Sequence, residues 1–261
     1  MRHRLETITR WRHRRRQRRL LGTRLLVGFA QSYPAATFVE IGANDGQQHD
    51  HLRDYIGVLP WTGLMVEPVP YVFDRLAARY GAVEGVALVN AAVAERDGRL
   101  PFFHLREAGA EERAELPDWY DGVGSLRRDV VLSHAPQVPD IGERIVQSEV
   151  EALSFDTLLE RHGLQHVDLL LIDAEGHDAE ILRSIDLGRY RPRLVVYEHF
   201  HLSPSERAAA RARIEADGYG TVEEMFDTYC LLPGLGDPLD RAWRRFEPAL
   251  PGVSKHDEPR A

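Results

Sequence analysis

Apolar residues occur along the chain in two distinct patterns. Runs of almost continuous apolar residues predict strands that are buried on both faces of a parallel sheet. Segments between them repeat apolar residues at helical spacing, as Val72, Leu76 and Tyr80 do, and Leu52 with Ile56 predicts a shorter helix. Five strands are predicted on this basis, at residues 37–41, 63–67, 86–90, 167–172 and 193–197.

The order of these elements predicts an α/β domain with a mostly parallel sheet. Two further apolar runs, 219–224 and 228–232, predict an antiparallel hairpin at one edge of that sheet. A capping box from Ser203 to Glu206 begins the helix before this hairpin. Residues 107–143 combine charges with prolines and glycines, so we expect them to form an irregular lid or substrate loop.

The first strand leads directly into a glycine turn. Gly42 and Gly46 allow a tight turn and a close approach of the backbone to a ligand. Asn44 and Asp45 lie at the carboxyl end of the strand, where open α/β sheets bind ligands. A dinucleotide fingerprint would need a third glycine, and Asp45 would repel a phosphate. A nucleoside ligand with a cationic amine and no phosphate therefore fits the turn better.

Polar residues recur at the ends of the next two strands. Glu67 follows the glycine turn by about 20 residues, where a carboxylate can accept hydrogen bonds from two ribose hydroxyls. The alternative interpretation of Glu67 is a surface acid beside the next helix. Asn90 ends the third strand and could contact an adenine edge, or could only satisfy backbone groups.

The densest polar stretch follows the fourth strand. Asp173 ends that buried strand, so it needs a partner, a proton or a metal. His177 can act as a general base because its ordinary pKa lies near neutrality, or it can be an exposed histidine at a helix start. Glu198 and His199 end the neighbouring strand, so that Asp173, Glu198 and His199 could share Mg²⁺, which prefers oxygen ligands. The alternative is a hydrogen-bonded carboxylate–histidine cluster without a metal.

Composition and charge limit the kinds of site and of cellular location that the chain can have. The chain has 261 residues, enough for one large domain, and its one cysteine, Cys230, excludes an intramolecular disulfide and a cysteine-rich zinc site. Residues 1–24 contain ten arginines and one acid, against a net charge of −8 for the whole chain. This basic segment predicts a solvated extension, or attachment to an anionic membrane or nucleic acid. No apolar run approaches the roughly 18 residues that span a membrane, and a secretory signal is not predicted, so we expect a cytoplasmic protein.

Together these motifs resemble the FkbM family of S-adenosylmethionine-dependent methyltransferases. The stretch from Ile172 to Gly176 is the most recognisable piece of a similarity that runs from residue 37 to 232. The matching segments are 39–46, 66–68, 90–92, 124–126, 171–182 and 198–199. The resemblance implies a class I methyltransferase fold, which is a Rossmann-like three-layer α/β sandwich. Its seven-stranded, mostly parallel sheet has the order 3-2-1-4-5-7-6 with an antiparallel edge hairpin.

The resemblance also implies S-adenosyl-L-methionine as cofactor, with Glu67 on the ribose and Asn90 near the adenine. Glu40, an acid within the first strand, is interpreted as a partner of the methionine end or of the residues behind it. The full set of predicted cofactor contacts is Glu40, Gly42, Asn44, Asp45, Gly46, Glu67, Pro68, Asn90, Ala91, Ser125 and Asp173.

Transfer to an aliphatic hydroxyl needs a base or a metal because the hydroxyl is a poor acid. His177 and Asp173 are the predicted catalytic residues. Similarity to magnesium-dependent sugar O-methyltransferases, which carry acids at these two strand ends, supports the metal interpretation of Asp173 and Glu198.

We therefore predict an O-methyltransferase that acts on a hydroxyl of a small natural product or sugar. One alternative is a nucleic-acid methyltransferase whose basic segment holds the polymer, and the acidic remainder of the chain argues against it. Another is a non-catalytic binding protein that kept the fold. The expected organisation is a basic extension at 1–30, the methyltransferase domain at 31–233 and a loosely ordered tail at 234–261. We expect a monomer or homodimer with no transmembrane segment, and peripheral membrane contact through the basic extension as an alternative.

Overall fold

Strands and helices alternate along a computed structural model that describes residues 21–47 and 50–245. The strands are β1 (Thr37–Ile41), β2 (Thr62–Val66), β3 (Val86–Val89), β4 (Ala92–Val93), β5 (Gly98–Leu105), β6 (Gly124–Ser125), β7 (Ile145–Leu153), β8 (Leu169–Ile172), β9 (Leu194–Glu198), β10 (Gly220–Glu224) and β11 (Asp227–Leu231). The helices are α1 (Leu21–Ser32), α2 (Pro70–Tyr80), α3 (Ala110–Arg113), α4 (Arg128–Ser133), α5 (Ile141–Arg144), α6 (Phe155–Arg161), α7 (Asp178–Ser184), α8 (Leu187–Tyr190), α9 (Pro204–Ala216) and α10 (Pro238–Arg244). A 3-10 helix spans Asp118–Gly122.

Seven strands form one sheet in the order β3-β2-β1-β8-β9-β11-β10. Neighbouring strands are parallel except at β11, which runs antiparallel to both β9 and β10. Counted along the chain, these seven strands have the order 3-2-1-4-5-7-6, so the predicted sheet and its edge hairpin are confirmed. The carboxyl ends of the parallel strands consequently meet at one edge of the sheet.

Helices cover both faces of this sheet. Successive strand side chains point to opposite faces, and neighbouring residues of β1 accordingly belong to two separate cores. Phe38 is buried with side chains of α1, α2 and α10. Val39 is buried with side chains of α6, α7 and α9. The three-layer sandwich that the resemblance implied is therefore confirmed.

A second, smaller sheet has the order β4-β7-β5-β6. β5 pairs with β7 along its whole length, from Gly98 opposite Ala152 to Leu105 opposite Ile145. Segment 107–143 follows β5 and forms α3, the 3-10 helix, α4 and the start of α5 instead of the irregular loop we expected. Five of its apolar residues form a small core with Leu105 at the end of β5, and they are Tyr120, Val123, Val131, Val138 and Ile141. Burial of these scattered side chains orders the segment.

The two ends of the described chain pack together. Leu25 of α1 and Leu239 of α10 are buried in the same cluster, and the guanidinium of Arg193 contacts the buried carboxylate of Asp240 at 2.8 Å. In place of the loose ordering expected after residue 234, Pro238–Arg244 is thus a packed helix. Residues 1–20 of the predicted extension and 246–261 of the predicted tail lie outside the described residues.

The helix expected around Leu52 and Ile56 does not form. Residues 51–59 instead make successive bends and turns, with an isolated bridge between Ile56 and Leu59. Leu52 and Ile56 are nevertheless buried against α1 and α2, so their apolar pattern reflects burial and not helical periodicity. Within 21–47 and 50–245, no helix is both long and apolar enough to cross a membrane.

The predicted capping box begins α9. The Ser203 hydroxyl accepts the Glu206 amide at 3.3 Å, and the Glu206 carboxylate accepts the Ser203 amide at 2.7 Å. Loss of an N-cap hydroxyl costs about 1 kcal/mol, so we expect Ser203→Ala to lower the free energy of unfolding by about this amount in urea titrations. Ser148→Ala, the matched control, removes a hydroxyl with no hydrogen-bond partner among the described residues, and it should change this free energy by less than about 0.5 kcal/mol. Equal losses in the two variants would contradict the cap.

Candidate functional site

The glycine turn lies against the end of β8. Gly42 has a φ of +81°, and a Cβ atom there would lie 1.7 Å from the carbonyl oxygen of Asp173. The Asp173 amide donates to the carbonyl of Ile41 at 2.9 Å. Gly46, with a φ of +67°, is closely packed against the ring of Tyr80, whose hydroxyl donates to the Gly46 carbonyl at 3.1 Å. The path of the turn therefore depends on two positions that lack a side chain.

Asn44 connects the turn to segment 107–143. Asn44 has a φ of +48°, and its side-chain carbonyl accepts the amide of Asp45 at 2.7 Å. A Cβ atom on Gly122 would lie only 2.8 Å from the side-chain nitrogen of Asn44. Asp45 accepts the Gln47 amide at 2.9 Å on the exposed side of the turn. The segment therefore comes directly against the predicted ligand-binding turn.

Glu67 braces the same turn from the end of β2. Its two carboxylate oxygens accept the amides of Asn44 at 3.0 Å and of Val69 at 2.8 Å. Burial raises the pKa of Glu67 to about 7, although these two hydrogen bonds act in the opposite direction. A carboxylate offers about four lone-pair sites, so both oxygens can still accept a ligand hydroxyl. Glu67 is a buried group of the cleft, and the surface-acid interpretation is wrong.

Asn90 stabilises the backbone after β2. Its side-chain amide donates to the carbonyls of Glu67 at 2.8 Å and Pro68 at 3.2 Å. This is the backbone-satisfying arrangement that the sequence left open, and an adenine contact at Asn90 stays a prediction. Ala91 is fully buried in the core.

Asp173 follows β8, and Glu198 is the last residue of the adjacent strand β9. Both lie in a cleft rich in carboxylates. The side chain of Asp173 is exposed to solvent at the open side of the cleft, and the protein atoms on its other sides partly desolvate its carboxyl group. This desolvation, followed by the charges of Glu175 and Asp178, raises the pKa of Asp173 well above its ordinary value. Burial and then the charge of Asp173 raise the pKa of Glu198. The Oε2 atom of Glu198 is buried with no hydrogen-bond partner among the described residues, so the cleft favours a cationic ligand.

Glu40 is paired with an acid that the sequence did not single out. Burial, followed by the nearby charge of Asp50 and a hydrogen bond between the two carboxyl groups, raises the pKa of Glu40 well above its ordinary value. Asp50 also accepts the amides of Leu52 and Arg53 at 2.5 Å and 3.0 Å. The two acids therefore lie close together behind the glycine turn, and a direct contact of Glu40 with the cofactor stays a prediction.

The two predicted histidines, His177 and His199, contact different partners. His177 precedes α7 with its Nδ1 atom 3.9 Å from the Glu180 carboxylate, and burial lowers its pKa. His199 is buried, and its Nδ1 atom lies 2.8 Å from the hydroxyl of Thr228 on β11. Among the described residues, Asp173, Glu198 and His199 are not a group whose ligand atoms come close enough to hold a metal, so an Mg²⁺ ion on these three residues is not supported.

Three residues that sequence reasoning missed lie beside the cleft. They are His134, which directly follows α4, Glu175 in the loop after β8, and His201 in the loop after β9. Ser125, a predicted contact, is fully buried, and its hydroxyl donates to the Glu175 carbonyl at 2.7 Å. Glu175 belongs to the motif around Asp173, but no local pattern marks His134. Its role could be found only from the folded chain.

A surface cavity of about 550 Å³ opens at the opposite edge of the sheet, near the amino ends of β1, β2 and β3. Glycines, apolar residues, two threonines, one glutamine and two histidines, His162 and His166, line it without a carboxylate. The converging titratable groups lie at the carboxyl edge, so we place the candidate active site there.

One family model and several solved structures are similar to this chain. The methyltransferase FkbM domain matches residues 40–228. No curated protein sequence matches the chain. The crystal structure of methyltransferase FkbM from Methylobacillus flagellatus KT is similar at 13% identity and a TM-score of 0.45, over 76% of this chain and 44% of that one.

Two further solved structures show weaker similarity. Fibrillarin from Aeropyrum pernix, in complex with natively bound S-adenosyl-L-methionine, has 11% identity and a TM-score of 0.39 over 76% of this chain and 66% of that one. Precorrin-6y C5,15-methyltransferase from Geobacter metallireducens GS-15 has 10% identity and a TM-score of 0.37 over 79% and 87%. The chain spans less than half the length of the FkbM structure that it matches.

The family match covers most of the chain, from the acid inside β1 to the second residue of β11. It includes the glycine turn, Glu67, the Asp173 stretch and Glu198. The seven-stranded sheet has the class I methyltransferase order. The chain therefore belongs to the FkbM family of S-adenosylmethionine-dependent methyltransferases.

Proposed function

We propose that the protein is an O-methyltransferase that methylates a hydroxyl group of a small molecule with S-adenosylmethionine. One observation carries the proposal. The glycine turn, Glu67, Asp173 and Glu198 converge at the carboxyl ends of four neighbouring strands. Ligands of open α/β sheets bind at this edge.

The residues present fit the cofactor. Gly42 and Gly46 let the turn pack closely against the end of β8 and against Tyr80, and Glu67 has lone pairs left for the two ribose hydroxyls. The carboxylates of Asp173 and Glu198 suit a ligand with a cationic sulfonium and a cationic amine, because they repel each other without one. When bound, S-adenosylmethionine supplies an activated methyl group together with its own leaving group.

The protein's remaining task is to orient the acceptor oxygen and take its proton. We propose Asp173 as the base, because it lies beside Glu198 in the cleft and its raised pKa makes its carboxylate a stronger proton acceptor than that of an ordinary aspartate. His177 is the alternative base. The strongest electrostatic influences on its pKa are Glu180 and Glu95, and neither ends a strand of the cleft.

Segment 107–143 favours a small acceptor over a polymer. Gly122 contacts Asn44 of the turn, and Val130 lies 3.0 Å from the position of a Cβ atom on Gly176. The segment thus lies over the strand ends on one side of the site. The cleft carboxylates would also repel the phosphates of a nucleic acid, which disfavours the nucleic-acid alternative.

Isothermal calorimetry with S-adenosylmethionine tests the cofactor. We expect micromolar binding to the wild type and roughly 10- to 100-fold weaker binding to Glu67→Gln, because hydrogen bonds to a charged group contribute about 1.5–3 kcal/mol. Glu84→Gln, at an exposed position before β3, is the matched control and should bind like the wild type. Absence of binding to the wild type, or equal affinity in Glu67→Gln, would overturn the cofactor assignment.

A further inference from the structure

His134, Glu175 and His201 bring three metal-ligating side chains together at one point. The Nε2 atom of His201 lies 2.9 Å from Oε2 of Glu175, and Nε2 of His134 lies 3.9 Å from the same oxygen. One ligand atom from each residue lies within 4.8 Å of the others. It is the one group of three such side chains that comes close enough to hold a metal within residues 21–47 and 50–245.

The fold holds these residues from three directions. His134 follows α4 in segment 107–143, Glu175 follows β8, and His201 follows β9. Glu175 has a φ of +47°, and the Ser125 hydroxyl fixes its carbonyl at 2.7 Å. A Cβ atom on the next residue, Gly176, would lie 3.2 Å from Cβ of His201. The small residue therefore lets the Glu175 loop approach His201.

The polar atoms at the centre of the cluster lack adequate partners. Oε2 of Glu175 and Nε2 of His134 are both buried with no hydrogen-bond partner among the described residues. The short contact between His201 and Glu175 does not have hydrogen-bond geometry. Buried polar atoms are usually satisfied, and those that are not point to a missing ion or water. Two unsatisfied ligand atoms aimed at one point favour an ion there.

The geometry suits a transition metal ion. Two imidazoles and one carboxylate form the donor set of catalytic zinc sites, which leave a fourth position open. At metal–ligand distances of about 2.0–2.1 Å, tetrahedral ligand atoms lie roughly 3.3 Å apart. The observed separations of 2.9 Å and 3.9 Å fall on either side of this value. One nitrogen of His134 and one of His201 lie within 4.8 Å of each other, and a bound ion would draw the three side chains together.

We propose that His134, Glu175 and His201 bind a divalent transition metal ion of the Zn²⁺ class. The ion would connect segment 107–143 to the loops after β8 and β9, and it would offset the negative charge gathered around Glu175, Asp173 and Glu198. This binding does not depend on the cofactor. The ion could also bind the acceptor hydroxyl at its fourth coordination position and favour loss of the hydroxyl proton. This second role rests on the proposed methyl transfer.

Titration of the untagged, full-length, EDTA-dialysed protein tests the site. We expect one equivalent of Zn²⁺ in calorimetry, and with Co²⁺ a visible d–d absorption typical of a tetrahedral site. Loss of second-shell partners already weakens metal sites 10- to 100-fold, so His134→Ala, His201→Ala and Glu175→Gln should each weaken binding by at least about 100-fold. His166→Ala, which removes an exposed histidine 3.7 Å from Asp168 on the opposite edge, is the matched control and should leave binding unchanged.

Absence of stoichiometric binding, or equal affinity in the three variants and the control, would overturn the proposal. Circular dichroism checks that each variant folds, and the nearly isosteric Glu175→Gln carries the test if a histidine variant does not. Wild-type protein that binds Zn²⁺ but not S-adenosylmethionine would remove the proposed function and leave the metal site. Wild-type protein that binds S-adenosylmethionine but no Zn²⁺ would overturn the metal site and leave the proposed function.

Discussion

The Asp173→Asn variant is expected to transfer methyl groups roughly 10²–10⁴-fold more slowly than the wild type, because a general base contributes about this factor. Asparagine keeps the size of the side chain but cannot take the acceptor proton. Turnover with a saturating cofactor, measured across a panel of small hydroxyl compounds, gives the effect on kcat. Calorimetry with S-adenosylmethionine separates it from an effect on binding.

The pH dependence gives this prediction a second measurement. Desolvation and neighbouring carboxylates raise the pKa of Asp173, so wild-type turnover should fall as the pH decreases through that raised pKa and the carboxylate takes up a proton. The turnover of Asp173→Asn should not show this fall at low pH. Turnover within a few-fold of the wild type would contradict Asp173 as the base, and His177→Ala then tests the other candidate.

The stability of the variant distinguishes lost chemistry from lost folding. An aspartate with a raised pKa in the folded state makes the fold less stable as the pH rises through that pKa. Removing its charge should therefore leave the free energy of unfolding at neutral pH equal to or above that of the wild type. A large loss of stability would mean that Asp173 holds the structure together and would undermine the kinetic interpretation.

Gly42→Ala should destabilise the protein by roughly 2–5 kcal/mol, which combines the cost of a positive φ with that of overpacking. The added Cβ atom would lie 1.7 Å from the carbonyl oxygen of Asp173. This oxygen belongs to the backbone after β8, so a side-chain rotation cannot relieve the clash. Urea titration measures the loss. Cofactor binding should be lost too, because the turn must move away from β8.

Gly142→Ala is the matched control for this substitution. Gly142 lies in α5 without a positive φ, and a Cβ atom there meets nothing within 4 Å. Replacing a glycine at a compatible position stabilises proteins by about 0.4–1 kcal/mol. Comparable destabilisation in both variants would show that the close approach of Gly42 to Asp173 does not constrain the fold.

Elements with strong local patterns could be predicted from the sequence. The buried strands, the capping box at Ser203 and the edge hairpin each have a signature within a few residues. The carboxyl-end positions of Asp173 and Glu198 followed because parallel strands place their ends at one edge. The position of Glu67 after β2 was predicted, but its two backbone hydrogen bonds to Asn44 and Val69 depend on the turn geometry.

Elements that depend on distant partners could not be predicted in this way. Pro238–Arg244 is rich in charge, and its packing against α1 depends on burying Leu239 and Trp243 about 210 residues from their partners. The apolar residues of segment 107–143 are too scattered to show a period, yet they share one core. Leu52 and Ile56 had the helical pattern without the helix, because their burial is set by α1 and α2.

The sequence alone determined the sheet, the glycine turn and the set of acids at the strand ends, because each arises from hydrophobic period, backbone freedom or position after a strand. Only the tertiary structure decided which side chains meet. It paired Glu40 with Asp50, turned His199 towards Thr228, and brought His134 from a helical segment to Glu175 and His201. Such meetings depend on how separate layers pack against each other, and the linear order of residues does not encode that packing locally.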